Sequence, residues 1–291
     1  QHMTDLRYLT DSYDAGIARI HSLAAPLNFL YITDEHNRMN HMAAKWDDRP
    51  YELAVNAIDS IAYILARCPE ITFAVNGGDI GNDYDPDPEQ VRASHREVVD
   101  ALYRLPIPVH CCIGNHDDAI GNAIDHNWDT VKAAILPDEM HRLCMKYNPT
   151  PENYYYIDVD TAEQPWRMVF LNTSDKPYYL KNGSYTHGWC SEVSEEQSRW
   201  FENDALATDR NVKMLIAGHV HYDNLLYDDG ILSVTTLCSL AQEWSPNCPK
   251  RVCGTPSETA FDVFSIKGNM VYTTRFGAGE NRQGVMLRMK Y

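Results

Sequence analysis

The N-terminal half alternates short apolar runs with longer helical stretches, and that alternation leaves the chain few folds to choose from. Leu27 to Ile32, Ile71 to Val75 and Val109 to Ile113 read as strands, each ending in a small or polar cluster. Between the first two, Pro50 to Arg67 carries apolar residues at 51, 54, 55, 58, 61, 62 and 65. That spacing predicts a helix, and proline suits its first turn. Between the second and third strands, Glu89 to Leu105 sets Val91, Val98, Ala101 and Leu102 in helical register. Strand–helix–strand–helix–strand is the grammar of parallel β-α-β units.

The C-terminal half follows a different pattern. Tyr154 to Val159 and Arg167 to Asn172 read as strands across a short polar turn, and Val212 to Ile216 and Leu232 to Thr236 as two more. Phe261 to Ile266 and Met270 to Thr274 flank Lys267-Gly268-Asn269, a hairpin signal. Ser194 to Leu206 is a predicted helix, with Ser194 as N-cap and Gln197 completing a capping box. The expectation is an α/β protein with mixed sheets and helices outside, forming a single domain over residues 4–291. Gln1-His2-Met3 is read as a vector remnant. The residues after it form no basic and apolar leader, which predicts a cytoplasmic protein.

Composition excludes several classes. With 44% apolar and 23% charged residues the chain has the balance of a folded protein, not of a disordered tail. No apolar run reaches the length of about 18 residues that a membrane span needs. Lys and Arg total 25 against 41 Asp and Glu, a net charge of −16 that would repel a polyanion, which argues against nucleic acid as a partner unless a bound cation reverses the sign locally. The eight cysteines include no C-x-x-C pair, which argues against a zinc or redox motif, and Cys111 and Cys112 are read as packing residues.

The chemistry lies at the strand ends, where ligands gather in open α/β sheets. Thr33-Asp34-Glu35-His36 follows the first strand, Gly77-Gly78-Asp79 the second, Gly114-Asn115-His116-Asp117 the third, and Gly218-His219-Val220-His221 the strand ending at Ile216. Each motif alone could be an ordinary turn. Together they deliver carboxylate, carboxamide and imidazole groups suited to Mn, Fe, Zn or similar divalent ions. In an extended segment residues i and i+2 share a face. Asp34 and His36 would then meet one ion, as would His219 and His221. Asp79 has two oxygens and can bridge two ions, and two ions roughly 3.5–4 Å apart can clamp a phosphoryl group and activate water.

In this order the motifs resemble the signature of the calcineurin-like metallophosphoesterases, over most of the chain from about Asn28 onward. The resemblance implies a four-layer α/β/β/α sandwich with two mixed sheets and a dinuclear metal centre at its edge. It implies that Asp34, His36 and His221 bind a first ion, that Asp79 bridges, and that Asn115 and His219 bind a second. His116 would act as general acid or charge stabiliser, with Asp117 orienting it. The implied activity is hydrolysis of small phosphomonoesters or phosphodiesters by a metal-bridging hydroxide. A binding scaffold with weak or no activity and a nuclease are the alternatives. The sequence leaves oligomeric state open.

Two departures from the family pattern stand out. The family usually places a further His ligand of the second ion between the third and fourth motifs. Here only His126, His141 and His187 are available, and all three are read as surface or packing residues. Phe201 to His219 also has room for one strand where the family places two. Either a segment before Val212 is missing from this chain, or a natural deletion has weakened the second metal site. Tyr178-Tyr179-Leu180 and Tyr185 to Trp189 form an aromatic-rich loop, either packing or a wall over the metals. Asp223 is a candidate hydrogen-bond partner for a ligand His. Arg275 to Arg282 is read as a turn, and Asp83, Asp85 and Asp87 lack the rest of an EF-hand.

Overall fold

The computed structural model describes residues 5–39, 54–189, 191–240 and 247–287. The three N-terminal strands form where expected: β1 (Leu27–Ile32), β2 (Ile71–Asn76) and β3 (Val109–Cys111). The C-terminal half adds β4 (Tyr155–Asp160), β5 (Pro165–Phe170), β6 (Leu180–Lys181), β7 (Ser184–Tyr185), β8 (Met214–Ala217), β9 (Asn224–Asp228) and β10 (Ile231–Thr235). The last three are β11 (Ala260–Lys267), β12 (Met270–Gly277) and β13 (Arg282–Val285).

Six of these make one mixed sheet in the order β13-β12-β11-β1-β2-β3, with β1, β2 and β3 parallel and β11 to β13 antiparallel. All six residues of β1 are buried, so both faces of the sheet are covered there. Phe29 stacks between Phe73 and Phe264 at centroid distances of 5.2 and 5.3 Å, a row of rings across β2, β1 and β11. The expected hairpin forms: Lys267 pairs with Met270 around Gly268-Asn269, and Gly268 takes φ +58°, a left-handed first loop residue that favours glycine.

The other strands form smaller sheets, β8-β10-β9, β4-β5 and β6-β7. A single parallel bridge, Trp166 to Asn211, joins β5 to the chain just before β8. Phe201 to His219 thus contributes one strand, β8, as the sequence suggested. Trp166, Phe170, Leu232 and Val234 share one apolar core with β1, β2 and β11, so the small sheets pack toward the large one.

The predicted helices form with adjusted ends. Within 50–67 the described helix is Ala54–Leu65, burying Ala54, Ala57, Ile58, Ile61, Ile64 and Leu65 on one stripe; residues 50–53 lie outside the described residues. Pro88–Tyr103 starts at an Asp87 cap that accepts a hydrogen bond from Glu89 N. Ser194 caps Glu195–Trp200 by accepting from Gln197 N, after which Phe201–Ala205 widens into a π-turn. The capping box is only half made. Gln197 is fully buried and bonds Asn172 N and O, tying the helix to the end of β5. The helix Asp14–Leu23 and the short helices Ile120–Asp125 and Thr130–Ala133 were not foreseen, whereas Pro137–Cys144 forms around His141, as expected of that segment.

His110 on β3 reaches the second group of strands. Its ring stacks on Phe170 at 5.2 Å and its Nδ1 lies 3.2 Å from the Tyr155 hydroxyl. Burial pushes the imidazole down to about 4 from its ordinary 6.5. The unfolded chain therefore binds a proton between these values that the folded chain refuses. The stability this site contributes is complete above about pH 6.5 and is lost as the pH falls toward 4. We expect the melting temperature to drop across that window by an amount worth a few kcal/mol at most. His110→Phe should flatten that part of the profile in thermal denaturation at pH 7, 5.5 and 4.5.

Candidate metal centre

The loops beyond β1, β2 and β3 stay zipped after the strands end. Asp34 N donates to Gly78 O at 2.9 Å, His36 N to Asp79 O at 3.0 Å and Asn37 N to Ile80 O at 3.1 Å. The carboxylate of Asp117 accepts from Asp79 N, Ile80 N and Gly114 N at 2.9, 2.8 and 2.7 Å. Asp34 in turn accepts from His219 N at 3.0 and 2.9 Å and from the Thr33 hydroxyl at 2.7 Å. The helix Pro88–Tyr103 backs these loops: Ser94 takes hydrogen bonds from Asn37 and Asn82 N, and the buried His95 ring faces Asp117 at 3.5 Å.

The extended-segment argument for paired ligands does not hold. Asp34, His36, Asp79, His219 and His221 all take left-handed backbone, with φ of +55, +42, +57, +69 and +55°. Such conformations are costly for non-glycine residues and collect at functional sites. The ligands are aimed by tight turns beyond the strands, not by strand alternation. Two glycines make room for the carboxylates. A β-carbon at Gly114 would collide with Asp79 Oδ1, and one at Gly218 with Asp34 Oδ2 and Thr33 Oγ1.

Two ligand clusters result. Asp34, His36 and His221 bring their ligand atoms within 4.8 Å of one another, as do His36, Asp79 and His116. His36 Nε2 lies 3.2 Å from His221 Nε2 and 3.9 Å from Asp34 Oδ1, and His221 Nε2 is 3.1 Å from Asp34 Oδ1. Asp34, His36, Asp79 and His221 are buried. Asn115 and His219 line the rim beside Asp79, in a cavity that opens next to the clusters, and the His219 ring lies outside both of them. Glu35 points away and accepts from Asn76 Nδ2 at 2.7 Å.

The electrostatics are those of a buried anionic site with imidazoles around it. Burial raises the proton affinity of Asp34, but the rings of His221 and His36 outweigh it and hold the carboxyl well below its usual range. At Asp79 burial prevails, aided by Asp34 and Asp117, and pushes the carboxyl up to about 8. Burial works against the His116 cation, yet Asp79 and Asp83 overcome it and lift the ring to about 9.

Asp83, which the sequence reading weighed only as part of a calcium loop, takes a place beside His116. Both its oxygens sit 3.0 Å from His116 Nδ1, and Asn122 Nδ2 donates to it at 2.9 Å. The carboxylate in contact with His116 is therefore Asp83, whereas the oxygens of Asp117, expected to face that ring, accept from backbone N–H groups. The only sequence signal was an acid four residues past Asp79, in what reads as a polar loop; its burial is seen only in the fold.

The surroundings answer the remaining expectations. Trp189 places its ring 4.8 Å from His116 and donates to Asp125 at 2.7 Å, so the aromatic loop does form a wall at this edge. Behind it, the buried Lys176 pairs with Asp118, which also accepts from the Tyr178 hydroxyl. Asp223 directs its carboxylate to Arg275 at 2.6 Å and to Leu237 N at 3.2 Å. Arg275 is buried against Asp262 as well, so the C-terminal turn braces the chain after His221. His126 packs on Tyr84 and Trp128, His141 Nδ1 lies 3.1 Å from Asn153, and His187 packs on Tyr179.

The donor set of buried carboxylates and facing imidazole nitrogens fits divalent cations, whose charge would balance the clustered acids. Comparison with known proteins agrees. The family model of the calcineurin-like phosphoesterases matches residues 27–223. The chain belongs to that family. Among solved structures it is similar to a dimetal phosphatase from Danio rerio, with 13% identity, 90% of this chain and 100% of that one covered, and a TM-score of 0.57. It is also similar to a predicted phosphoesterase from Streptococcus pneumoniae (10% identity, 89% and 97% covered, TM-score 0.39) and to vacuolar protein sorting 29 from Cryptosporidium parvum (14% identity, 89% and 96% covered, TM-score 0.37). Of these three, the first bears on the fold. A search of curated proteins finds no match. No helix among the described residues is long and apolar enough to cross a membrane.

The geometry makes metal content separable from catalysis. Elemental analysis after dialysis should find divalent metal on the wild-type chain and much less on Gly218→Ala, whose new methyl group displaces Asp34. Asp83→Asn should keep the wild-type content, since Asp83 touches His116 and Asn122 and none of Asp34, His36, Asp79 or His221.

Proposed function

We propose that this chain hydrolyses phosphomonoesters or phosphodiesters with two divalent cations. Asp34, His36 and His221 would hold one, and Asp79, Asn115 and His219 the other, with Asp79 shared. Bound there, the cations would supply Lewis acidity toward the phosphoryl oxygens and toward water. They would also let a chain of net charge −16 receive an anionic substrate, since ions are the largest local charges in such a site. The observation that carries the reading is the cluster of Asp34, His36 and His221 with Asp79 close to the His36 ring, at the ends of strands that sequence places far apart.

The protein's own groups divide the remaining work. His116 stands at the margin of the Asp79 cluster with its side chain a quarter exposed. Its Nδ1 faces Asp83, which leaves Nε2 as the nitrogen able to meet a phosphoryl or leaving-group oxygen. The Asp83 carboxylate favours the protonated ring, so the ring can donate a proton or stabilise charge. Asp117 fixes the loops that carry Asp79 and Asn115, which makes it a positioning residue. Trp189 closes one side of the His116 ring and limits water there.

The test is release of nitrophenol from p-nitrophenyl phosphate and bis-p-nitrophenyl phosphate by the Mn²⁺-loaded protein. Asp79→Asn should abolish turnover. His116→Gln should lower kcat by about 10²–10⁴-fold with metal content preserved. A wild-type protein that holds two ions and releases no nitrophenol from either ester would overturn the proposal in favour of a binding scaffold.

A further inference from the structure

A cavity of about 470 Å³ runs between the large sheet and the small ones. Its walls are mainly apolar: Phe29 and Val75 from the six-stranded sheet, Trp166 and Met168 from β5, and Ile216 from β8. Its other end is formed by Asp79, Asn115 and His219, so it is continuous with the candidate metal centre. The cavity exists because β5 and β8 do not pair. Among the described residues β5 pairs with β4 and β8 with β10, and only the Trp166–Asn211 bridge crosses between them. Protein interiors are close-packed, so a mainly apolar cleft of this size leaves apolar surface that a bound apolar group would cover. The volume is that of a small-molecule site, with apolar walls and a few polar groups gathered at one end.

We infer that this cavity is the subsite for the alcohol part of the substrate, and that the substrate is a phosphoester of a long alkyl or aryl alcohol. This rests on the phosphoesterase reading above. The phosphoryl group would sit at Asp79, Asn115 and His219 while the apolar chain extends between the sheets toward Trp166. In the reaction the oxygen of a water bonds to phosphorus, the P–O bond to the chain's alcohol breaks, and a proton from that water ends on the released alcohol. Polar alcohols such as glycerol or a ribose would leave the apolar walls unfilled. They would lose hydrogen bonds to water against walls that are mainly apolar.

Two measurements decide it. The first uses metal-free protein and N-phenyl-1-naphthylamine, an apolar fluorophore. One saturable site per chain, displaced by 1-decanol, is expected. Ile216→Trp, which fills the cavity, should weaken binding at least tenfold, and Val75→Phe replaces it if that variant does not fold. The second follows kcat/KM of the Mn²⁺-loaded protein over alkyl phosphates from ethyl to decyl. A rise of up to about fourfold per added methylene is expected, the factor that burial of one methylene supports. If short esters are hydrolysed but kcat/KM is flat with chain length, the inference fails and the phosphoesterase reading stands. If no ester is hydrolysed, the phosphoesterase reading fails and the fluorophore alone judges the cavity. Absence of saturable binding, or binding unchanged by both filling variants, overturns it.

Discussion

The Asp117 carboxylate is the tie on which the rest of the site depends. It is buried, and it accepts hydrogen bonds from three backbone N–H groups on two loops that belong to different strands. Without it those N–H groups would lie buried and unsatisfied, and the loops beyond β2 and β3 would have no reason to hold their tight turns. A second tie of the same kind joins Asp34 to His219 N, fastening the loop after β1 to the loop after β8. Local strain at Asp34, His36, Asp79, His219 and His221 is sustained because these contacts over-determine the backbone.

The same economy explains the burial of so many charges in one place. Asp34, Asp79, Asp83 and Asp117 are all buried, in a protein already rich in acid. Backbone donors, imidazoles and Asn122 satisfy part of that charge, while burial, with Asp34 and Asp117 nearby, raises the proton affinity of Asp79. Divalent cations would balance that charge, which is why the arrangement makes chemical sense as a metal centre in a member of this family. A structural salt-bridge network looks different: Arg275 with Asp262 and Asp223 satisfies its charges internally.

Much of this could be read from the residues in order. The strands Leu27–Ile32 and Ile71–Asn76 and the helix within 88–105 were legible because apolar runs and period-3.6 patterns are local. The strand near 165–172 was placed two residues late, since its first residues, Pro165 and Trp166, carry no alternation and gain their pairing from Tyr155–Asp160. The helix after Ser194 was foreseen, but its turn to π geometry was not. The Gln197 side chain was assigned to its own helix when it instead bonds Asn172, a partner set by packing.

By itself the sequence determined the alternation of elements, the chemical types at four strand ends and the family they resemble. Those are properties of short segments, fixed by local spacing and turn chemistry. Only the tertiary structure decided that His36 faces both clusters, that Asp83 rather than Asp117 meets His116, and that a cavity separates β5 from β8. Such pairings depend on which loops come to lie side by side once distant strands are in register, and no short stretch of chain encodes that neighbourhood.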